Sequence, residues 1–478
     1  MKQTSENYQV KMADQCRSRS HIRVTLISSG QSYFFNDDQI SSAVKANEVD
    51  PLTRRVPKET FTFSIFDFAG EYNPSNPSGK WSSMDENAEI KVEFGFDVSN
   101  GVTEWLAPDF YYLDAKPTVS GGIATFKSSS KLCKLTNTYY KGVYANSNLY
   151  DLAIAVLTDA GISSNNYYVD SSLSSMATNA PIPVSSHINC LQLIAHAARC
   201  TLRTVSGVIK VEPFDLSITP SEFIIGLDSI QANGDTISKI ETLYKVEANL
   251  YVYTPDAESS VLSTFIIDAT GETPCHIEYP ISTDQTITVD GAATISNINV
   301  YASAADFTLD GTGSFSVTVT GKKISTSVST TESIISLNTN GSTDSEKNQL
   351  ITTAALQFSL IYHVANYLQF RLTHTVKYRG NPELEALDAI YFATIYGTYI
   401  SALVLSHTIT FNGAISGSII LKSISEISDT YLYDSTPEIV LDSQDERVSV
   451  IGVSDYQSEY STEDMNDFIE EVISNGET

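Results

Sequence analysis

The chain has 478 residues, 42% of them hydrophobic and 10% aromatic, enough for several cores rather than one. Its 29 Lys and Arg against 57 Asp and Glu leave a formal charge of −28, which repels phosphate backbones and excludes a nucleic-acid binder by charge. Five cysteines (Cys16, Cys133, Cys190, Cys200, Cys275), odd in number and without a CxxC, suit free thiols in a reducing compartment, and neither an export signal nor a membrane span is expected from the apolar runs.

From Ile22 to Lys131 apolar and polar residues alternate in short runs bounded by Gly, Asn, Asp and Pro, which predicts strands. Phe61–Ile65, Ile90–Phe94 and Ile123–Lys127 each bury one face by this pattern, and the breaker cluster Tyr72–Gly79 must be a surface loop. Closing these strands into a barrel removes their exposed edges. Near residue 146 the period changes: Leu149, Leu152, Ala153, Val156, Leu157 and Ala160 follow helical spacing behind a Ser147-Asn148 cap, with Gly161 as the stop. A second helix runs from about Ser186 to Cys200, followed by strands Thr201–Thr204 and Val208–Val211 that turn at Ser206-Gly207.

Residues 216–344 return to strands. The stretch 311–345 holds 17 Ser or Thr among its 35 residues, yet Phe315, Val317 and Val319 keep strict alternation, which a linker has no reason to do. Asp344–Leu368 carries helical spacing throughout and predicts the longest helix, roughly 35 Å at 1.5 Å per residue. Strands resume at Leu372–Val376, Ala389–Thr394, Ile400–Leu405, Thr408–Phe411 and Ser418–Leu421. Residues 425–478 hold 15 acids and one base, Arg447, so half the net charge sits in this tail. It reads as a solvated acidic extension, with Asp464–Ile473 as a potential amphipathic docking helix carrying Phe468, Ile469 and Val472.

Candidate chemistry is sparse. His187, Cys190, His196 and Cys200 fall within fourteen residues, but at about 100° per residue they point to opposite sides of a helix and do not converge on one zinc ion. HExxH, GxSxG and phosphate-cradling glycine motifs are absent, and His21, His276, His363, His374 and His407 show no pairing. No catalytic, cofactor or metal residue is therefore assigned and no cofactor is expected, although a glycosidase-type carboxylate pair leaves no linear mark. The doublets Tyr111-Tyr112, Tyr139-Tyr140 and Tyr167-Tyr168 put one ring on each face of a strand, one for a core and one for a neighbour.

The segments Val56–Ile65, Tyr72–Ser78, Ile90–Phe96 and Glu104–Pro108 leading into Phe110–Leu113 resemble tail hub or baseplate proteins of phages and prophages of Gram-positive bacteria. Leu149–Ala160, Pro181–Val184 with Cys190–Cys200, Gly380–Asp388, and Thr410–Gly413 with Gly417 extend the likeness over about 22–212 and 371–424, roughly half the chain. One departure is Leu387, which stands where the pattern has Gly before Asp388. The resemblance implies two related β-barrel-like hub domains, an N-terminal one (1–145) and a second one with the long helix (345–424); residue pattern adds a small α/β insert (146–215), a β-sandwich-like module (216–344) that the resemblance leaves unplaced and an acidic extension (425–478) that departs from it, for a mainly β fold. The resemblance further implies a non-enzymatic homo-oligomer, a trimer or else a hexamer, in the tail tip of a virion assembled in the host cytoplasm. Such a ring joins tube, distal tail, tape measure and fibre proteins and leaves a channel for DNA as passing cargo. The alternatives are a tail-associated wall-degrading enzyme and a receptor-binding module presented by the Ser/Thr-rich region.

Overall fold

The alternation of the first third sets the first core. In the computed structural model, which describes residues 1–13, 19–99, 101–215, 220, 224–336, 339–393, 399–423, 438–442 and 447–451, nine strands occupy this region. They are β1 (Ser20–Ser28), β2 (Gln31–Asn36), β3 (Ile40–Glu48), β4 (Lys58–Phe66), β5 (Glu89–Ser99), β6 (Val102–Trp105), β7 (Asp109–Leu113), β8 (Thr118–Ser120) and β9 (Ile123–Ser129). Their order is β3-β4-β9-β7-β5-β1-β2, and Phe35 of β2 meets Phe63 of β4 and Phe126 of β9 at 5.7 and 6.1 Å, so the sheet curls over its own core with an open seam on the outer side of β2. Period two sends Phe61, Phe63 and Ile65 of β4 inward with Phe126 of β9, and the Phe63 and Phe126 rings stack at 4.6 Å and 7°. Tyr72 closes this core from the predicted surface loop.

The protein is mainly β, and its largest sheet does not stop at the N-terminal half. The C-terminal strand Tyr399–Phe411 pairs antiparallel with β3 from Ser406↔Glu48 to Phe411↔Ala43, so one sheet of fifteen strands among the described residues runs through both halves. Sequence spacing suggests two strands here, Ile400–Leu405 and Thr408–Phe411. The chain instead forms one strand with a bulge between Val404 and Ser406. An extra residue flips the side-chain parity. Before the bulge Ala402 and Val404 face a C-terminal core with Val376, Ile390, Phe392, Ile419 and Leu421; after it Ile409 and Phe411 enter the N-terminal core.

Between the halves lies the insert. Helix α2 (Leu149–Asp159) is capped by the Asn148 side chain, which accepts from Asp151 N at 2.8 Å, and ends before Gly161 at φ +73°. Helix α3 (His187–Ala197) is capped by Ser186, and the strands Cys200–Val205 and Val208–Pro213 turn at Ser206 and Gly207, both at positive φ. The next module is built on one strand, Ala304–Ile334, of 31 residues. Its first part is flanked by Ser260–Glu278 on one side and by Ser282–Val289 and Thr294–Val300 on the other, and its last part pairs with Leu243–Pro255. Phe307, Leu309, Val317 and Val319 line its core, which explains how a Ser/Thr-rich text holds a strand.

The predicted helix 344–368 starts ten residues late: α4 is Ala354–Leu368, 15 residues with Thr353 as its cap. Ser342–Glu346 forms a strand parallel to Leu243–Pro255 instead, because backbone pairing and ion pairs of Asp344 and Glu346, described below, outweigh helical spacing. Helix α4 remains the longest among the described residues, about 22 Å by its rise per residue. In the acidic extension, Glu438–Asp442 and Arg447–Ile451 pair, and the latter runs beside 332–334; the predicted helix 464–473 lies outside the described residues. No described helix is long and apolar enough to cross a membrane.

Candidate functional site

The place where the two halves share an edge is also where buried charge concentrates. Lys45 follows Ala43 on the inward face of β3, and its ammonium meets Asp109 at the start of β7 at 2.5 Å. Lys2 reaches the same carboxylate at 2.8 Å and the Ala107 carbonyl at 2.8 Å. All three side chains are buried. Burial works against each charge, but the two ammonium groups outweigh it at Asp109 and hold that carboxyl below its usual range. The carboxylates of Asp109 and Glu385 likewise keep Lys45 protonated against burial. At Lys2 burial prevails, aided by Lys45, and its pKa falls.

Beside this triad is a polar cavity of about 20 Å³ lined by Lys45, Asn47, Glu59, Asp109, Thr204 and Glu385 among others. Glu59 accepts from Thr204 N at 2.7 Å, which ties β4 to the insert. Burial raises its pKa, and its Oε2 and the Asn47 Oδ1 meet no donor among the described residues. The N-terminal segment docks on the loop 381–388 that belongs to the other half. Lys2 N donates to the Glu383 carbonyl at 2.9 Å, Gln9 Nε2 to Glu383 Oε1 at 2.6 Å, and Tyr8 Oη to Asn381 Oδ1 at 3.0 Å. Helix α1 (Glu6–Ala13) thereby packs Tyr8 edge-on against Phe96 of β5. The same loop carries Leu387 at φ +73°, a conformation that suits glycine.

The C-terminal core holds polar groups with less compensation. His407 donates Nδ1–H to the Leu384 carbonyl at 2.9 Å and accepts from Tyr378 Oη at 2.8 Å; burial holds its pKa near 4. Lys422 lies 4.0 Å over the Tyr367 ring, and burial draws its pKa down to about 8. His363 on α4 is held near 3, chiefly by burial.

The four zinc candidates go to separate places. His187 Nδ1–H donates to the Asn137 carbonyl at 2.6 Å, and its Nε2 lies 2.8 Å from Asp159. His196 Nε2 lies 2.9 Å from Glu346, which also takes Arg54, while Asp344 receives Arg54 at 2.7 Å. Burial would raise the Glu346 pKa, but His196 and Arg54 hold it down. Cys190 and Cys200 are buried free thiols, and Cys133 and Cys275 are free as well. Among the described residues no group of three His, Cys, Asp or Glu converges for a metal. Of the tyrosine doublets, Tyr111 and Tyr139 face cores. Tyr140 donates to Asp306 at 3.0 Å with His276 edge-on at 4.5 Å, joining the segment just before the insert to the module, and Tyr168 is exposed. His21 bridges Asp37 and Asp97 at 2.9 and 3.1 Å, and His374 is buried 3.5 Å from Asp235.

Spacing singled out neither the Lys2–Lys45–Asp109 triad nor Glu59. The available signal was a charge at inward parity in a strand, as at Lys45 after Ala43.

No family model matches the chain, and no curated protein matches it. Among solved structures it is similar to the tail protein from Neisseria meningitidis MC58, with 9% identity over 84% of this chain and 96% of that one, at a TM-score of 0.45. It is also similar to a 43 kDa tail protein of prophage MuSo2 from Shewanella oneidensis, 11% identical over 84% and 98% of the two chains, at 0.45. A third is prophage tail protein gp18 from Listeria monocytogenes EGD-e, 6% identical over 85% and 95%, at 0.43. All three are described as tail proteins, the second and third as those of prophages.

Proposed function

We propose that this chain is a non-enzymatic structural component of a phage or phage-derived tail, a hub or baseplate ring protein made of several copies that links the tail tube to the tip and leaves a channel for DNA. The observation that carries this reading is the shared strand. Two barrel-like units at opposite ends of the sequence are welded into one sheet by the pairing of Tyr399–Phe411 with β3, so each copy brings two β units at a fixed angle, and three copies would present six. The domain boundaries at 145, 215, 344 and 424 are part of the proposal. An acidic lumen fits passing DNA, since a basic one would hold it by counterion release. The partners in this reading are tube, distal tail, tape measure and fibre proteins.

Electron microscopy of the purified chain over a range of concentrations tests it. Trimers or hexamers with an open centre support the ring, and globular monomers throughout overturn it. Incubation with purified cell walls tests the non-enzymatic part: soluble fragments that vanish on single Asp or Glu replacement would establish the enzyme instead.

A further inference from the structure

The open seam of the N-terminal barrel carries two features that the shared sheet does not use. One is strand β2, an edge that among the described residues pairs with β1 alone. Its hairpin turns through Ser29 and Gly30 at φ 49° and 76°, with Ser28 opposite Gln31. In such a two-residue hairpin, residues 31, 33 and 35 bond to β1, whereas Ser32 and Phe34 point their N–H and C=O groups outward. Among the described residues no backbone hydrogen bond meets those of Ser32 or Phe34. The strand reads Gln-Ser-Tyr-Phe-Phe-Asn, without the Lys, Pro or bulge that blunts an exposed edge.

The other feature is an aromatic pocket of about 320 Å³ beside that edge, lined by Phe34, Phe66, Phe68, Gln39, Glu71 and Lys80 among others. Phe34, Phe66 and Phe68 are 68%, 48% and 84% exposed. Yet Phe68 stacks on Phe66 at 5.7 Å and 13°, with its ring 3.3 Å from where a Cβ on Gly122 would stand. Lys80 is paired with Glu71, while the Asp38 carboxylate, 89% exposed, keeps a loose, solvent-screened pair with Arg19 at 3.9 Å beside the strand.

We propose that β2 and this pocket receive an extended strand of a different protein, by strand addition at the edge with one apolar side chain seated among Phe34, Phe66 and Phe68. The exposed Asp38 and the −28 of the chain select a strand flanked by Lys or Arg and disfavour an acidic one, a second copy of this chain included. The proposal stands whether or not the ring forms.

A fluorescein-labelled synthetic peptide that alternates Thr with Val or Phe and carries Lys at both ends serves as the probe, titrated with the full chain and followed by anisotropy. Saturable binding is expected, weakened about tenfold or more by Phe68→Ser and abolished by Ser32→Pro, which removes an outward N–H and leaves the β1 ladder intact. The same peptide with a central Pro, or with Glu ends, should fail to bind. Phe68→Ser changes only an exposed side chain, so it keeps the test valid if Ser32→Pro misfolds. Absence of binding, or binding indifferent to Phe68→Ser, overturns the proposal. So does light scattering that finds a wild-type dimer made monomeric by Ser32→Pro, because the edge then belongs to a second copy.

Discussion

The two halves that share the large sheet are built differently inside. The N-terminal core is closed by rings in contact, Phe61, Phe63 and Phe126 stacked with Phe35 tilted and Tyr72 edge-on against them, and its buried ions form a cluster of two lysines around Asp109. The C-terminal core and the helix beside it bury His363, His407 and Lys422, none of them hydrogen-bonded or ion-paired to a carboxylate among the described residues. Apolar burial is insensitive to pH, whereas an uncompensated buried base makes the folded state depend on it. The difference thus concentrates ring packing in one half and buried bases without a paired carboxylate in the other.

The largest expected effect breaks the first half of that contrast. Phe63→Ala should lower stability by about 3–5 kcal/mol, seen as an earlier loss of tryptophan fluorescence, since Trp81 and Trp105 both report on the N-terminal half. Acid tests the second half. The folded pKa values of His363 and His407, near 3 and 4, lie below the unfolded value of about 6.5, so their contribution is whole above that pH and is lost as pH falls from about 6.5 toward 4. A loss of about 3 kcal/mol or more by pH 4 is expected in urea melts, and His363→Phe should flatten the curve; a pH-independent melt would remove the contrast.

Lys422→Met probes the same linkage in a higher pH window. Its folded pKa of about 8 lies below the unfolded value of about 10.4, so the charge costs stability at neutral pH and the cost fades as pH rises between the two values. With the contact to Tyr367 lost as an offset, a gain of about 2 kcal/mol at pH 7 is expected, shrinking toward zero by about pH 10. The smallest effect is Leu387→Gly, where relief at φ +73° should gain about 0.5 kcal/mol by thermal melting after the entropy of glycine is subtracted.

Local periodicity carried much of this architecture. Phe61, Phe63 and Ile65 are buried as their spacing requires, the first insert helix starts at the cap that Asn148 announces, and the second starts at Ser186 as its spacing suggests. The glycine expected before Asp388 was informative in its absence, because Leu387 adopts the glycine-like conformation all the same. What stayed hidden was non-local. Pairing of Ala43 with Phe411 joins residues hundreds of positions apart, and no window contains both. The start of α4 was misplaced because Asp344 and Glu346 answer to Arg54 and His196, partners supplied by other elements. The edge pocket combines Phe34 with Phe66 and Phe68, which alternation treats as ordinary outward positions.

Strand Tyr399–Phe411 has a mechanical consequence as well. Its six residues from Ser406 to Phe411 lie alongside β3, so a tug that separates the two halves along the strand loads those rungs in shear and must rupture them together, while a pull across the strand would unzip them one after another. Held by that ladder, the halves should transmit torque as a single stiff body.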